Sequence, residues 1–184
     1  MQYNVAQLLK GPTGGQRRYY LSEEIRNLDP DLDPIQPLEG WITLMRTSQG
    51  ILASGTLRTA LQMECSRCLE PCEVQVEMEL EEEFRPTVAI ADAPLDIVPE
   101  EDQDEALTID EHHILDLTEV IRQGIWLAAP MEALCRVDCA GLCPTCGGNR
   151  NLGECTCDEP ALDPRWAALQ SLLITENESD ERSK

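Results

Sequence analysis

The sequence predicts an α+β protein in which an antiparallel β-sheet, open or barrel-like, packs with two or three helices and carries a small C-terminal zinc-ribbon-like knuckle. Two observations support this prediction: residues 38–81 hold three strand patterns, and residues 135–157 hold six of the nine cysteines. A length of 184 residues allows one domain with a small appendage. We therefore expect four parts: an α+β core over 1–130 with an acidic loop at 86–113, a cysteine-rich zinc-binding module over 131–160, a C-terminal helix over 161–174 and a disordered tail over 175–184.

The predicted sheet begins with a short strand over residues 1–8. Segments 38–47 and 51–65 are predicted to pair as a hairpin, because the loop between them ends in Gly50 and glycine accepts the positive φ that tight turns need. The clearest strand is 73–81, where apolar residues alternate with glutamates and one glutamine. Glutamate, methionine and leucine favour helices, but a helix would scatter these apolar residues around its surface, so the period of two indicates a strand.

Two helices are predicted from their capping residues. Asp116 with Glu119 three residues later resembles a capping box, and Pro130 ends the segment. Asp163 followed by Pro164 predicts the start of a second helix. Their apolar stripes are Leu117, Val120, Ile121 and Ile125 in the first helix, and Trp166, Leu169, Leu172 and Leu173 in the second.

The net charge of −21 excludes general adhesion to nucleic acids or anionic membranes, because it repels phosphate-rich surfaces. This charge is unevenly distributed: residues 68–121 hold eighteen acids and one base, whereas residues 1–67 hold seven of each. Residues 86–113 hold nine acids, three prolines and no base, which predicts a flexible acidic loop. The acidic block is either a solvated face with a disordered loop or a docking site for a basic partner.

The cysteines between 135 and 157 predict a structural zinc site. Cys143-Pro-Thr-Cys146-Gly147 has the spacing of a zinc-ribbon knuckle, in which a turn directs amides at two thiolates. Tetrahedral zinc needs four sulfurs, so more candidates are present than one ion requires. The alternatives are an iron–sulfur centre and a reduced, metal-free cluster. The candidate ligands are Cys143 and Cys146, completed by Cys155 and Cys157 or by Cys139, with Cys135 also within reach.

A second pair, Cys65 and Cys68, follows a predicted strand. A redox pair would require a strand–turn–helix setting, whereas Pro71 and another strand follow here. We expect a tight turn between strands with semi-buried thiols, or else half of a second metal site completed by Cys72 or Cys135. The clustering of the cysteines, together with the lack of a targeting segment or a membrane-spanning apolar run, predicts a cytoplasmic protein.

No enzyme is predicted. The two histidines are adjacent, at 112 and 113, in the acidic loop, so no Ser-His-Asp or Cys-His arrangement can form without them. The sequence also lacks a Walker loop and a dinucleotide-binding glycine pattern.

Four segments, in this order and spacing, resemble the YceD-type family of large ribosomal RNA subunit accumulation proteins. They are Cys65-x-Arg67-Cys68-Leu69, Asp116-Leu117-x-Glu119-x-Ile121, Cys139-x-Gly141-Leu142-Cys143-Pro144-x-Cys146-Gly147-x-Asn149-x-Asn151 and Asp163-Pro164-Arg165-Trp166-x-x-Leu169. The resemblance implies a cytosolic factor, bacterial or plastid-type, that is needed for accumulation of the large-subunit (23S) ribosomal RNA and has no known catalytic activity. Some relatives lack most of the C-terminal cysteines, which implies that zinc stabilises the protein.

Two mechanisms fit such a role. In the first, the protein binds precursor RNA directly. Bases stack on the rings of Tyr19 and Tyr20. Phosphates are contacted by Arg17, Arg18, Arg136 and Arg150. In the second, the acidic block escorts a basic large-subunit ribosomal protein before that protein meets RNA. A thiol redox or metal sensor that uses Cys65 and Cys68 is a third interpretation.

Overall fold

A computed structural model describes residues 1–88, 104–153, 155–157 and 165 of the chain. The chain divides into two compact units, Met1–Val137 and Asp138–Lys184. The centre of the predicted acidic loop, the predicted tail and, apart from Arg165, the predicted C-terminal helix lie outside the described residues.

The first unit is built on one seven-stranded sheet that curls into a half-barrel. Its strands run in the spatial order β1-β7-β6-β5-β4-β3-β2. Neighbouring strands are antiparallel except for the short parallel pair β5–β6, so the predicted antiparallel sheet is in fact mixed. The strands are β1 Gln2–Asn4, β2 Gln16–Glu23, β3 Leu38–Arg46, β4 Ile51–Glu64, β5 Pro71–Pro86, β6 Thr108–Ile109 and β7 Ile114–Asp116.

The long strands β2 to β5 form a meander whose register follows the alternating pattern. On β5, Val76, Met78 and Leu80 are buried while the glutamates between them are exposed, as the period of two predicted. The β3–β4 hairpin closes at Gly50, where an added Cβ would lie 1.9 Å from the carbonyl oxygen of Phe84. The turn therefore needs glycine because the β5 backbone passes beside it.

In the described part of the chain, two α-helices accompany the sheet, α1 Ala6–Leu9 and α2 Thr118–Ala128. The predicted strand over 1–8 is therefore wrong in its second half, where Leu8 and Leu9 are buried on a single helical turn. The predicted apolar positions on α2 are confirmed, because Ile121 and Ile125 are fully buried. Burial of each side chain stabilises the folded chain by about 1.5–3 kcal/mol relative to leaving it exposed. The helix packs on β5 so closely that a Cβ at Gly124 would lie 2.3 Å from Cε of Met78.

The predicted capping box at the start of α2 does not form, because Leu117, not Asp116, occupies the N-cap position before Thr118. The carboxylate of Asp116 accepts a hydrogen bond from the Thr118 amide at 2.9 Å, as a cap would. Glu119, however, pairs with Arg122 at 2.6 Å and with Gln123 at 2.8 Å instead of reaching back to the start of the helix. A charged partner one turn away offers the carboxylate a stronger interaction than the backbone does.

The segment predicted as a loop over 86–113 is partly ordered in its described portion. Glu105–Leu107 forms a short 3₁₀ turn, and β6 follows it directly. Ile109 of β6 is fully buried, which anchors the end of the segment on the sheet. Among the described residues, no helix is long and apolar enough to cross a membrane.

Candidate metal centres and interaction surface

The second unit contains the predicted knuckle, a five-residue turn from Cys143 to Gly147. The Gly147 amide donates to the Cys143 carbonyl at 2.8 Å, and the Cys143 amide donates to the Gly148 carbonyl at 2.8 Å. Gly147 has a φ of +71°, a conformation that glycine adopts without the steric cost of a Cβ. The turn therefore forms because a glycine follows the second cysteine.

This turn points backbone amides at a sulfur. The amides of Cys146 and Thr145, the latter 3.4 Å from Sγ, help lower the pKa of the Cys143 thiol to about 6, because they stabilise the thiolate. Hydrogen bonding to the Cys146 side chain, with burial, raises the pKa of Cys157 to about 12. The first thiol is thus prepared for metal binding, since the thiolate is the ligand.

Four sulfurs meet at this knuckle. Those of Cys143, Cys146, Cys155 and Cys157 all lie within 4.8 Å of one another. An ion bound by four sulfurs at about 2.3 Å has sulfur–sulfur edges of about 3.8 Å, so a small adjustment would produce a tetrahedron. These four residues could hold a metal ion, and they are one of the ligand sets that the sequence left open.

The first unit contains a second knuckle of the same form, between β4 and β5. The Leu69 amide donates to the Cys65 carbonyl at 2.9 Å, and the Cys65 amide donates to the Glu70 carbonyl at 2.9 Å. Both bonds connect the same relative positions as those of the Cys143 turn. Leu69 has a φ of +60°, so it takes the place that Gly147 has in the other knuckle.

Three sulfurs of the first unit meet at this second knuckle. Cys65, Cys68 and Cys135 lie within 4.8 Å of one another, and the Sγ atoms of Cys68 and Cys135 are 3.7 Å apart. The amides of Cys135, Arg67 and Cys68 lower the pKa of the Cys65 thiol to about 6. The expected turn with semi-buried thiols is corrected in one respect: Cys65 and Cys68 are fully or almost fully buried, and these thiols could hold a metal ion.

The remaining cysteines have different surroundings. Cys72, which the sequence offered as a partner of Cys65 and Cys68, is buried opposite Met63 on the β4–β5 ladder and belongs to neither group. Cys139, in the second unit, is buried, and its Sγ accepts a hydrogen bond from Nδ2 of Asn151 at 3.3 Å. Of the two partners that the sequence offered for Cys65 and Cys68, the structure brings Cys135 to them and leaves Cys72 apart, and this choice depends on how the chain returns after α2.

The predicted RNA-contact residues on β2 are divided between the two faces of the sheet. Tyr19 points inward and its ring contacts that of Tyr3 at 5.0 Å, whereas Arg18 and Tyr20 point outward. Arg17, which shares the register side of Tyr19, is exposed at the end of the strand. Arg136 and Arg150 are both exposed, in the first and second unit respectively.

Trp41 joins the two outward residues. The guanidinium carbon of Arg18 lies 4.4 Å from the centroid of the Trp41 ring, and the rings of Tyr20 and Trp41 are 5.2 Å apart. Trp41 pairs with Tyr20 across the β2–β3 ladder, so the contact follows from the register. Sequence reasoning missed Trp41, although the alternation of 38–47 could have placed it on the polar face.

The same outward face carries a row of acids on β5. Glu77, Glu79 and Glu81 pair in register with Arg58, Thr56 and Ser54 of β4, and Glu83 extends the row. Arg58 forms an ion pair with Glu77 at 2.9 Å. One face of the sheet therefore changes from cationic and aromatic at β2–β3 to acidic at β5.

These features define a class: an α+β protein with two cysteine knuckles and an exposed cation–aromatic surface. A profile of the family described as "Large ribosomal RNA subunit accumulation protein YceD" matches residues 53–173. The chain therefore belongs to the YceD family. Both knuckles lie inside the matched range, whereas β2 and β3 lie outside it.

Several curated proteins are similar to this chain. An uncharacterised protein of Mycobacterium tuberculosis is 34% identical over 139 residues, which cover 72% of this chain and 60% of that protein. A Mycobacterium leprae protein is 29% identical, with 68% and 54% covered. The chain thus spans about 60% of the length of its Mycobacterium tuberculosis relative.

A more distant relative has a functional name. The "Large ribosomal RNA subunit accumulation protein YCED homolog 1, chloroplastic" of Zea mays is 28% identical over 146 residues, with 67% of this chain and 50% of that protein covered. No solved structure matches the chain.

Proposed function

We propose that the chain is a non-enzymatic factor of large-subunit ribosome biogenesis, needed for accumulation or processing of the large-subunit ribosomal RNA. The observation that carries this proposal is the family match over residues 53–173, which includes both knuckles and most of the sheet core. The Zea mays relative, which is named for accumulation of this RNA, supports the same role. We place the protein in the cytoplasm, where reduced thiols remain available to metals.

Both knuckles are proposed to hold structural zinc. The ligands of the first ion are Cys143, Cys146, Cys155 and Cys157. Those of the second include Cys65, Cys68 and Cys135. Sulfur separations below 4.8 Å suit a single ion, whose tetrahedron has edges of about 3.8 Å.

The partner is proposed to be precursor large-subunit RNA, contacted from the cationic side of the sheet and from exposed arginines such as Arg136 and Arg150. Phosphate contacts by arginine supply affinity and orientation. Because the net charge of −21 opposes such binding, the contact must be local and strongly dependent on salt.

A second candidate function is escort of a basic large-subunit ribosomal protein. The observation that favours it is the acidic row on β5, which would attract a cationic chain and accelerate the encounter. Both functions can coexist, because RNA and the basic protein would contact different parts of the sheet.

The test of the proposed function is the ratio of large- to small-subunit ribosomal RNA in cells depleted of the chain. We expect this ratio to fall and to recover when the wild-type chain is supplied. For cysteine substitutions at either knuckle, the matched control is Cys72→Ser, because Cys72 is buried but belongs to neither cysteine group. A ratio that stays constant during depletion would contradict the proposal.

A further inference from the structure

We propose that the outward face of β2, β3 and β4 is a binding site for single-stranded RNA, whose unpaired bases stack on Trp41 and Tyr20. This proposal rests on the proposed function and specifies where the partner binds. We call this surface the stacking face; it consists of Arg18, Tyr20, Trp41, Thr43, Thr56 and Arg58.

The rings of the stacking face are available to a ligand. Trp41 is 49% exposed on β3, and Tyr20 is 53% exposed on the edge strand β2. Each ring is held by its neighbours, because Arg18 lies over Trp41 and Tyr20 contacts it at an interplanar angle of 62°. A fixed, exposed ring loses little conformational freedom when a base stacks on it, and stacking on aromatic side chains is how proteins bind single strands.

The surroundings of these rings form a continuous shallow groove. One part, of about 580 Å³, is lined by Arg18, Trp41, Thr43 and Thr56 among others. The next part, of about 590 Å³, includes Tyr20, and the two parts share Arg58. Hydroxyls and guanidinium groups line the groove beside the rings and the Glu39 carboxylate lines both of its parts, so base edges would find hydrogen-bond donors and an acceptor there, and phosphates would find donors at Arg18.

The charges around the face select a single strand. Arg18 lies on β2 at one side of this face, while the acidic row of β5 lies at the other. A single strand can place its phosphates beside β2 and its bases over the rings. A duplex carries phosphates on both sides and would bring one backbone over the acids, which repel it.

The cationic part of the stacking face ends at Glu39 of β3, which pairs with Ser22 near the end of β2. Its carboxylate accepts hydrogen bonds from the Tyr20 hydroxyl at 3.3 Å and from the Ser22 hydroxyl at 3.1 Å. Beyond this position β2 ends at Glu23, so we expect the RNA backbone to follow β2 from Tyr20 toward Gln16.

The test uses the full chain loaded with zinc and a labelled twelve-nucleotide uridine-rich RNA, as a single strand and paired with its complement. We expect the single strand to bind more tightly than the duplex, and Trp41→Ala to weaken single-strand binding about tenfold, which is the loss expected for one stacked base. Trp41→Phe should retain most of the affinity. Trp126→Ala is the matched control, because Trp126 is 42% exposed but lies on α2.

Three binding results would overturn the proposal: equal binding by the Trp41→Ala and Trp126→Ala variants, preference for the duplex, or binding of an arginine-rich peptide at this face with no RNA binding. Thermal melting of each variant shows whether a loss reflects unfolding. The two proposals fail separately. If Trp41→Ala restores ribosomal RNA accumulation in depleted cells, the stacking face is wrong but the function stands; if depletion has no effect, the function is wrong whatever RNA binds in vitro.

Discussion

The two cysteine knuckles have the same backbone hydrogen bonds but different support. The Cys65 knuckle joins β4 and β5, strands of fourteen and sixteen residues that pair along their whole shared length. The Cys143 knuckle lies in a unit whose described residues contain no helix or strand beyond the isolated bridge Leu142–Asn149 and the single helical residue Arg165. The same turn thus occurs between two long paired strands and in a unit whose described residues supply no such pairing.

The sulfurs of the two knuckles differ in exposure accordingly. Cys65 and Cys68 are buried, whereas Cys146 and Cys155 are exposed. Cys65 and Cys68 therefore have little contact with solvent, whereas Cys146 and Cys155 have little apolar cover. The proposed ions would therefore fix a preformed turn at Cys65 and organise the unit at Cys143.

The largest expected effect comes from removing the metal. Chelation under reducing conditions should abolish hydrogen-exchange protection at the amides of Cys143 and Gly147, because metal binding supplies about 10–16 kcal/mol of folding free energy to isolated zinc modules. The amides of the β4–β5 ladder should remain protected. Hydrogen-exchange mass spectrometry can follow both regions at once, and simultaneous loss of protection in both would show that the sheet also depends on the ion.

A smaller effect is expected where the two knuckles differ in sequence. Gly147→Ala should destabilise its turn by about 1 kcal/mol, because a Cβ finds open space there but the positive φ disfavours it. Leu69→Asn should leave its turn equally stable or stabilise it by up to about 1 kcal/mol, because asparagine tolerates this conformation better than leucine and the Leu69 side chain is 59% exposed.

Exchange rates of the amides at positions 69 and 147 measure both changes in the zinc-loaded chain. If both substitutions destabilise their turns equally, the two positions impose no special backbone requirement and the comparison fails.

The smallest effect concerns acid. In the first unit, hydrogen bonds from Arg122 and Gln123 lower the pKa of Glu119 to about 2, from an ordinary value of 4.5. A lowered pKa in the folded state gives stability that is complete above pH 4.5 and is lost as the pH falls toward 2. Chemical denaturation at pH 6, 4 and 3 should show this loss, and Glu119→Gln should show less of it. The pair is solvent-exposed, so we expect a small difference; an identical pH dependence in both chains would contradict the assignment.

The sequence was sufficient where a pattern repeats over many residues. The alternation of 73–81 predicted β5, and the stripe of Ile121 and Ile125 predicted α2, because burial on one face produces a period that local reading detects. It was insufficient for β6, since two residues have no measurable period and their pairing depends on the return of the chain to the sheet.

The candidate sites show the same division. Both turns were predicted, but only the Cys143 turn was recognised as a knuckle, because Pro144 and Gly147 mark it whereas the Cys65 turn has Leu69 in the place of the glycine. Contacts between side chains on neighbouring strands could not be predicted from the sequence either. The contact of Arg18 and Tyr20 with Trp41 requires the β2–β3 register, and β2 itself lacks the hydrophobic alternation that would have defined it in advance.

The most direct test of two metal-binding knuckles is the number of zinc ions per chain, measured by elemental analysis of purified protein. We expect two ions in the wild type and in the Cys72→Ser control, and one ion each in the Cys143→Ser and Cys65→Ser variants. One ion in the wild type that disappears in Cys143→Ser and persists in Cys65→Ser would contradict the second site, and iron or no metal in the wild type would contradict both.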